Sequence, residues 1–200
     1  MSNARPGVLV AVIGCALIGS VIWHFIRQRK PSYTLWVFEE GLFWLQGWGR
    51  AGSVPWKEVR RFQMGFNPVT HMPIYWLTAA DKTTFEIEID RAPALIPLLE
   101  FMEIRLTASQ LLPRLEKIYA GQRLGFGAMA IDRQGLTFKR TLFPWSQVER
   151  VLRDRDQLFI HVRGRSEWVP IPYVAVSFPL VVMAIAHVLI AEEKSAEPEA

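Results

Sequence analysis

Pro55-Trp56-Lys57-Glu58-Val59 and Pro144-Trp145-Ser146-Gln147-Val148 are the two stretches on which the fold turns. Each follows a Gly-Leu pair that opens an apolar run, Gly41-Leu42-Phe43-Trp44 and Gly135-Leu136-Thr137-Phe138. The tryptophans stand 89 positions apart and the Gly-Leu pairs 94. Two like-ordered motifs at nearly one spacing read as an internal duplication, in which each copy must bury its apolar faces against neighbouring elements. In each motif the proline sets a turn and the tryptophan is a large core side chain plugging the end of a small barrel.

The flanking sequence fits that reading. Tyr33 to Phe38 and Leu42 to Trp48 are rich in aromatic and β-branched residues around Glu39-Glu40-Gly41, the pattern of a hairpin. Ile74 to Ala79 and Thr83 to Ile89 form a second hairpin around Asp81-Lys82. In its last strand Phe85, Ile87 and Ile89 alternate with Glu86, Glu88 and Asp90, as a half-buried strand requires. Pro93 to Leu106 then takes helical spacing through Leu95, Leu98, Leu99, Met102 and Leu106. Thr107 and Gln110 have the spacing of a capping box, which predicts a second helix over Thr107 to Tyr119 ending at Gly121. Pro113 is a breaker within it. In the second copy Leu158 to Val162 and Trp168 to Ile171 read as strands, and Phe178 to Ala191 as a helix with Pro179 in its first turn.

The run Gly121-Gln122-Arg123-Leu124-Gly125-Phe126-Gly127, the Gly135-Leu136 pair and Leu142-Phe143-Pro144-Trp145-Ser146-Gln147-Val148-Glu149-Arg150-Val151 together resemble an uncharacterised bacterial family. Its members are membrane-associated proteins with pleckstrin-homology-like (PH-like) modules. The resemblance implies an α+β, mainly antiparallel β fold: an N-terminal transmembrane helix followed by two tandem PH-like split barrels, each closed by a C-terminal helix. It does not carry over a lipid-headgroup function. The turns Glu39-Glu40-Gly41 and Asp132-Arg133-Gln134-Gly135 are short and mostly acidic, where inositide binders place a longer basic loop.

Charge and hydropathy complete the plan. Of 23 Lys and Arg, four lie in residues 1–30 beside no acid, so residues 31–200 hold 19 bases and 19 acids. The net charge of +4 thus belongs to the N-terminal segment and not to a nucleic-acid-binding surface. Gly7 to Ile26 is uncharged for 20 residues, enough helix to cross roughly 30 Å of hydrocarbon. Trp23 sits at one end of that run as an interfacial aromatic, and Arg27, Arg29 and Lys30 follow it. The positive-inside rule then makes this a single-pass inner-membrane protein with a cytoplasmic C-terminal portion. Expected boundaries are 1–30 for the anchor, 31–106 for the first module, 107–121 for a helical linker, 122–191 for the second module and 192–200 for a disordered acidic tail. Val169 to Ala191 is also uncharged, but Pro170, Pro172 and Pro179 interrupt it, which favours a buried helix over a second span.

No catalytic, cofactor or metal site is legible. The single Cys15 has no His partner, the four histidines follow no ligand spacing, and Glu86, Glu88 and Asp90 lie roughly 7 Å apart along one strand face. The expected activity is therefore a non-enzymatic interaction module with a protein partner and no cofactor. An apolar-ligand or lipid-binding module is the first alternative, and an enzyme using Glu86 and Glu88 the second. The loop Met64 to Pro73 is apolar and turn-rich, which makes Phe66, Val69 and Met72 candidates for contact with a partner or a membrane.

Overall fold

The computed structural model describes residues 33–46, 50–88, 96–154 and 156–196. The expected span at 7–26 and its interfacial residues Trp23, Arg27, Arg29 and Lys30 lie outside them. The strands are β1 (Tyr33–Val37), β2 (Gly41–Gln46), β3 (Arg50–Pro55), β4 (Val59–Phe66), β5 (Pro73–Ala79), β6 (Thr84–Glu88), β7 (Leu124–Phe126), β8 (Met129–Ile131), β9 (Gly135–Phe138), β10 (Thr141–Pro144), β11 (Val148–Asp154), β12 (Gln157–Val162) and β13 (Val169–Pro172). Two α-helices, α1 (Ile96–Tyr119) and α2 (Pro179–Ala196), follow β6 and β13. Short 3-10 turns, Trp56–Glu58, Trp145–Gln147 and Tyr173–Ala175, follow β3, β10 and β13.

The strands form four sheets of neighbouring strands, β1-β2-β3, β4-β5-β6, β10-β9-β8-β7 and β11-β12-β13. The chain divides into two compact units, residues 1–36 with 43–53, and residues 37–42 with 54–200. In the first, the Trp36 and Phe43 rings lie 5.4 Å apart, and Gly52 leaves room for the Trp44 indole. The second carries everything that follows.

The two proline-tryptophan motifs share their local geometry. Pro55 and Pro144 both sit near φ −60° with ψ 143° and 145°, and each ends its sheet by lacking a ladder donor. The tryptophan after each is buried, at 3% and 4% exposure. Trp56 donates its indole N–H to the carbonyls of Phe38 and Glu39, at 3.2 and 2.9 Å. Trp145 donates likewise to the Asp132 carbonyl at 3.0 Å. The backbone N–H groups of both tryptophans bond the residue before the glycine, Glu40 at 3.1 Å and Gln134 at 3.3 Å. The next strand then begins with a one-residue bulge, at Arg60 in β4 and Glu149 in β11. A third proline-aromatic turn, Pro172-Tyr173, repeats the local geometry before α2 and was not legible as part of the repeat.

Three expectations are corrected. Among the described residues no helix is long and apolar enough to cross a membrane. The charges of α1 and the Glu192, Glu193 and Lys194 run of α2 are the reason, so the single-pass inner-membrane assignment and the transmembrane element of the fold are not supported. The tandem PH-like barrels are replaced by the four separate small sheets, with no closed barrel among the described residues. Finally, the expected helix break near residue 107 is absent and α1 runs on for 24 residues. The Thr107 hydroxyl bonds the Glu103 carbonyl at 2.8 Å, and Gln110 points into the core. Gly121, at φ +81°, does end the helix, with Gln122 N–H on the Lys117 carbonyl and Gly121 N–H on that of Ile118. Glu192 to Ala196, expected in the tail, extend α2.

The two copies pack through the core. Phe178 N–H bonds the Phe62 carbonyl at 2.7 Å, and the Gln63 amide bonds the Val174 carbonyl at 3.3 Å. Close approach at the repeat's glycines gives a direct test. A Cβ at Gly41 would stand 2.3 Å from the Val54 oxygen, and one at Gly135 would stand 2.3 Å from that of Phe143. Gly41→Ala and Gly135→Ala should each lower stability by about 2 kcal/mol or more in urea unfolding. Gly125→Ala, with open space at its Cβ, should leave the midpoint nearly unchanged.

Candidate functional site: a basic cleft

The turn after Pro55 and the second half of α1 enclose a cleft of about 300 Å³. Lys57, Arg60, Arg114 and Lys117 supply its charge, with Gln110 and Pro113 beside them, and no carboxylate lines it. Each residue is placed by a specific local cause. Lys57 lies on the 3-10 turn that the buried Trp56 pins. Arg60 is the bulge residue, released from the ladder between Val59 and Arg61. Arg114 and Lys117 are three apart on α1 and so share a face. Pro113 has no N–H to give the Ser109 carbonyl and faces the cleft.

Gln110 joins the two sides. It is buried, and its amide donates to the Trp56 carbonyl at 3.0 Å. Its side-chain oxygen accepts from Arg114 Nε at 3.1 Å. The Arg114 guanidinium also lies over the Phe126 ring at 5.0 Å and the Phe178 ring at 4.6 Å. Burial pushes its pKa down, and no ion pair joins it to a carboxylate among the described residues. A half-buried guanidinium without a carboxylate partner is costly unless something anionic comes to it.

The second copy serves as an internal control. In its motif Ser146 stands for Lys57, Gln147 for Glu58 and Glu149 for Arg60. Glu149 bonds His161 Nδ1 at 2.7 Å, and His161 stacks on Trp168 at 4.5 Å between ring centres. The local motif is shared and its charge is not: Lys57 and Arg60 of the cleft have Ser146 and Glu149 as counterparts.

A second polar cluster lies deeper. Glu103, 5% exposed, receives Arg153 Nη1 on Oε2 at 3.0 Å, while its Oε1 and the Tyr173 hydroxyl have no hydrogen-bond partner. Burial raises the Glu103 pKa and outweighs the attraction of Arg153. Burial likewise pushes Tyr75 up to about 12 and raises Tyr173. The adjoining cavity, about 10 Å³ between Glu103, Phe62 and Phe178, is the size of one water molecule, so the cluster is part of the core rather than a ligand site.

The residues singled out from sequence fall elsewhere. Phe66 ends β4, Val69 is 83% exposed, and Met72 is half-buried in the turn that follows. Asn67 ties that turn by accepting the N–H of Val69 and of Thr70. Glu86 accepts from the Trp76 indole at 3.3 Å. The cleft residues were missed because they come from segments more than fifty positions apart, and a balanced charge count hid them. The available signal was the substitution of Lys57 and Arg60 by Ser146 and Glu149 between otherwise matching motifs.

The described residues form an α+β fold in which the proline-tryptophan motif occurs twice, with a basic cleft beside the first. A family of unknown function, DUF6585, matches residues 3–177, a stretch that includes both proline-tryptophan motifs, and the chain belongs to that family. No curated protein and no solved structure matches the chain.

The Glu103 pair generates a pH prediction. The folded-state pKa lies above the ordinary value of 4.5, so the folded chain holds that proton more tightly than the unfolded one. Its contribution is full below the unfolded pKa and is lost as pH rises through the folded pKa. The melting temperature of Glu103→Gln minus that of the natural protein should therefore grow more positive from about pH 4.5 to about pH 7.5. A difference that turns more negative would mean that the Arg153 attraction outweighs burial.

Proposed function

We propose that the protein is a non-enzymatic interaction module that takes an acidic segment of a partner protein in the basic cleft. The observation that carries this reading is Arg114, half-buried, oriented by Gln110 and two aromatic rings, and without a carboxylate partner among the described residues. Lys57, Arg60 and Lys117 supply exposed cations at the mouth, where they steer an acidic ligand and lose strength with salt. Two carboxylates of an extended acidic segment suffice to meet the inner arginine and one outer cation. The volume, about 300 Å³, admits side chains rather than a folded domain.

The test is fluorescence anisotropy of a labelled nine-residue peptide of alternating Ala and Glu, titrated with the full chain. Saturable binding should weaken steeply between low and physiological salt. The double variant Lys57→Ser with Arg60→Glu, which installs the second copy's residues at exposed positions, should cost about tenfold or more in affinity, or roughly 1.4 kcal/mol, with unchanged urea unfolding. Binding that ignores both the salt and this variant would remove the cleft from the function.

A further inference from the structure

We infer that the cleft is shaped for a phosphoryl dianion presented on a phosphorylated side chain of that partner, an inference that rests on the acidic-segment reading. Four cations converge on the cleft, and one carboxylate would leave three of them uncompensated. A phosphorylated side chain brings about −1.5 to −2 charges and three strong acceptor oxygens at neutral pH. Arg114 is prepared for such a group. Its Nε is committed to Gln110 and its central carbon lies 5.0 and 4.6 Å from the Phe126 and Phe178 ring centres, which leaves the two terminal amino groups for a ligand. Those groups match phosphate oxygens two at a time, while Lys57 and Lys117 act as mobile point charges around them.

Depth selects the source of the phosphate. Lys57, Arg60 and Lys117 are exposed, whereas Arg114 is half-buried. A flat anionic surface meets the outer three cations and not the fourth. A phosphate at the end of a side chain reaches all of them.

The experiment uses the full chain and three nine-residue peptides of Ala and Glu that differ only at the central position, which is serine, glutamate or phosphoserine. The phosphoserine peptide should bind at least about tenfold tighter than the glutamate peptide. That advantage should shrink severalfold between about pH 7.5 and about pH 5, as the phosphate takes up its second proton with a pKa near 6. Arg114→Lys should remove most of the preference. Lys57→Ser, at an exposed position away from the core, should reduce it as well, so the reading does not depend on one half-buried variant. Equal binding of all three peptides overturns the phosphoryl assignment and leaves the acidic-segment reading standing. Absence of binding by any peptide overturns both. Inorganic phosphate that competes at the phosphopeptide's own affinity would identify free phosphate as the source instead. Anionic phospholipid vesicles or a single-stranded oligonucleotide that outcompete the phosphopeptide would likewise overturn the side-chain source.

Discussion

The indole N–H of Trp56, directed at the carbonyls of Phe38 and Glu39, is the contact that positions the turn beside the cleft. It pins the 3-10 turn Trp56–Glu58 to the turn that follows β1. Gly41 allows the approach, Pro55 turns the chain into it, and the carbonyl of Trp56 accepts from both the Val59 N–H and Gln110 on α1. Everything the cleft needs follows from this. The turn carries Lys57, the bulge carries Arg60, and Gln110 passes the restraint on to Arg114. Trp145 repeats the first part of the arrangement through Asp132 and Gly135.

A large part of this plan was legible in the sequence. Proline-tryptophan motifs after Gly-Leu pairs identified the duplication, because few residue types satisfy a tight turn, a close backbone approach and a buried indole at once. The alternation of Phe85 and Ile87 with Glu86 gave a half-buried strand, and β6 has that burial pattern. The break at Thr107 failed for a physical reason. A hydroxyl and an amide with capping-box spacing also suit a helix interior when one can bond back to the helix and the other can reach a buried carbonyl. Pro113 lies inside α1 at an exposed position on the cleft side, and the helix runs on through it. In place of barrels the described strands form four short sheets, and prolines close β3, β10 and β13 where their ladders stop. The span at Gly7 to Ile26 rests on residues outside those described, and the helices that are described carry too much charge to cross a bilayer.

The cleft was not legible, because convergence of charge is a property of topology. Lys57 and Lys117 are sixty positions apart, and only α1 running back past the 3-10 turn sets them together. Counting charge along the chain averages such a cluster away. Comparing the two copies position by position restores it, since a duplicated scaffold holds geometry constant while the side chains differ.

The bulge that opens β4 and β11 has one more implication. Inward-facing residues of a strand are constrained by register, and a neighbouring strand constrains most outward ones. An inserted residue escapes both constraints. Position 60 and its counterpart 149 are therefore the bulge positions of the two motifs, one holding arginine and the other a glutamate bonded to His161. A chain made this way carries two labels written in opposite signs on one template. Changing either label alters what the surface attracts.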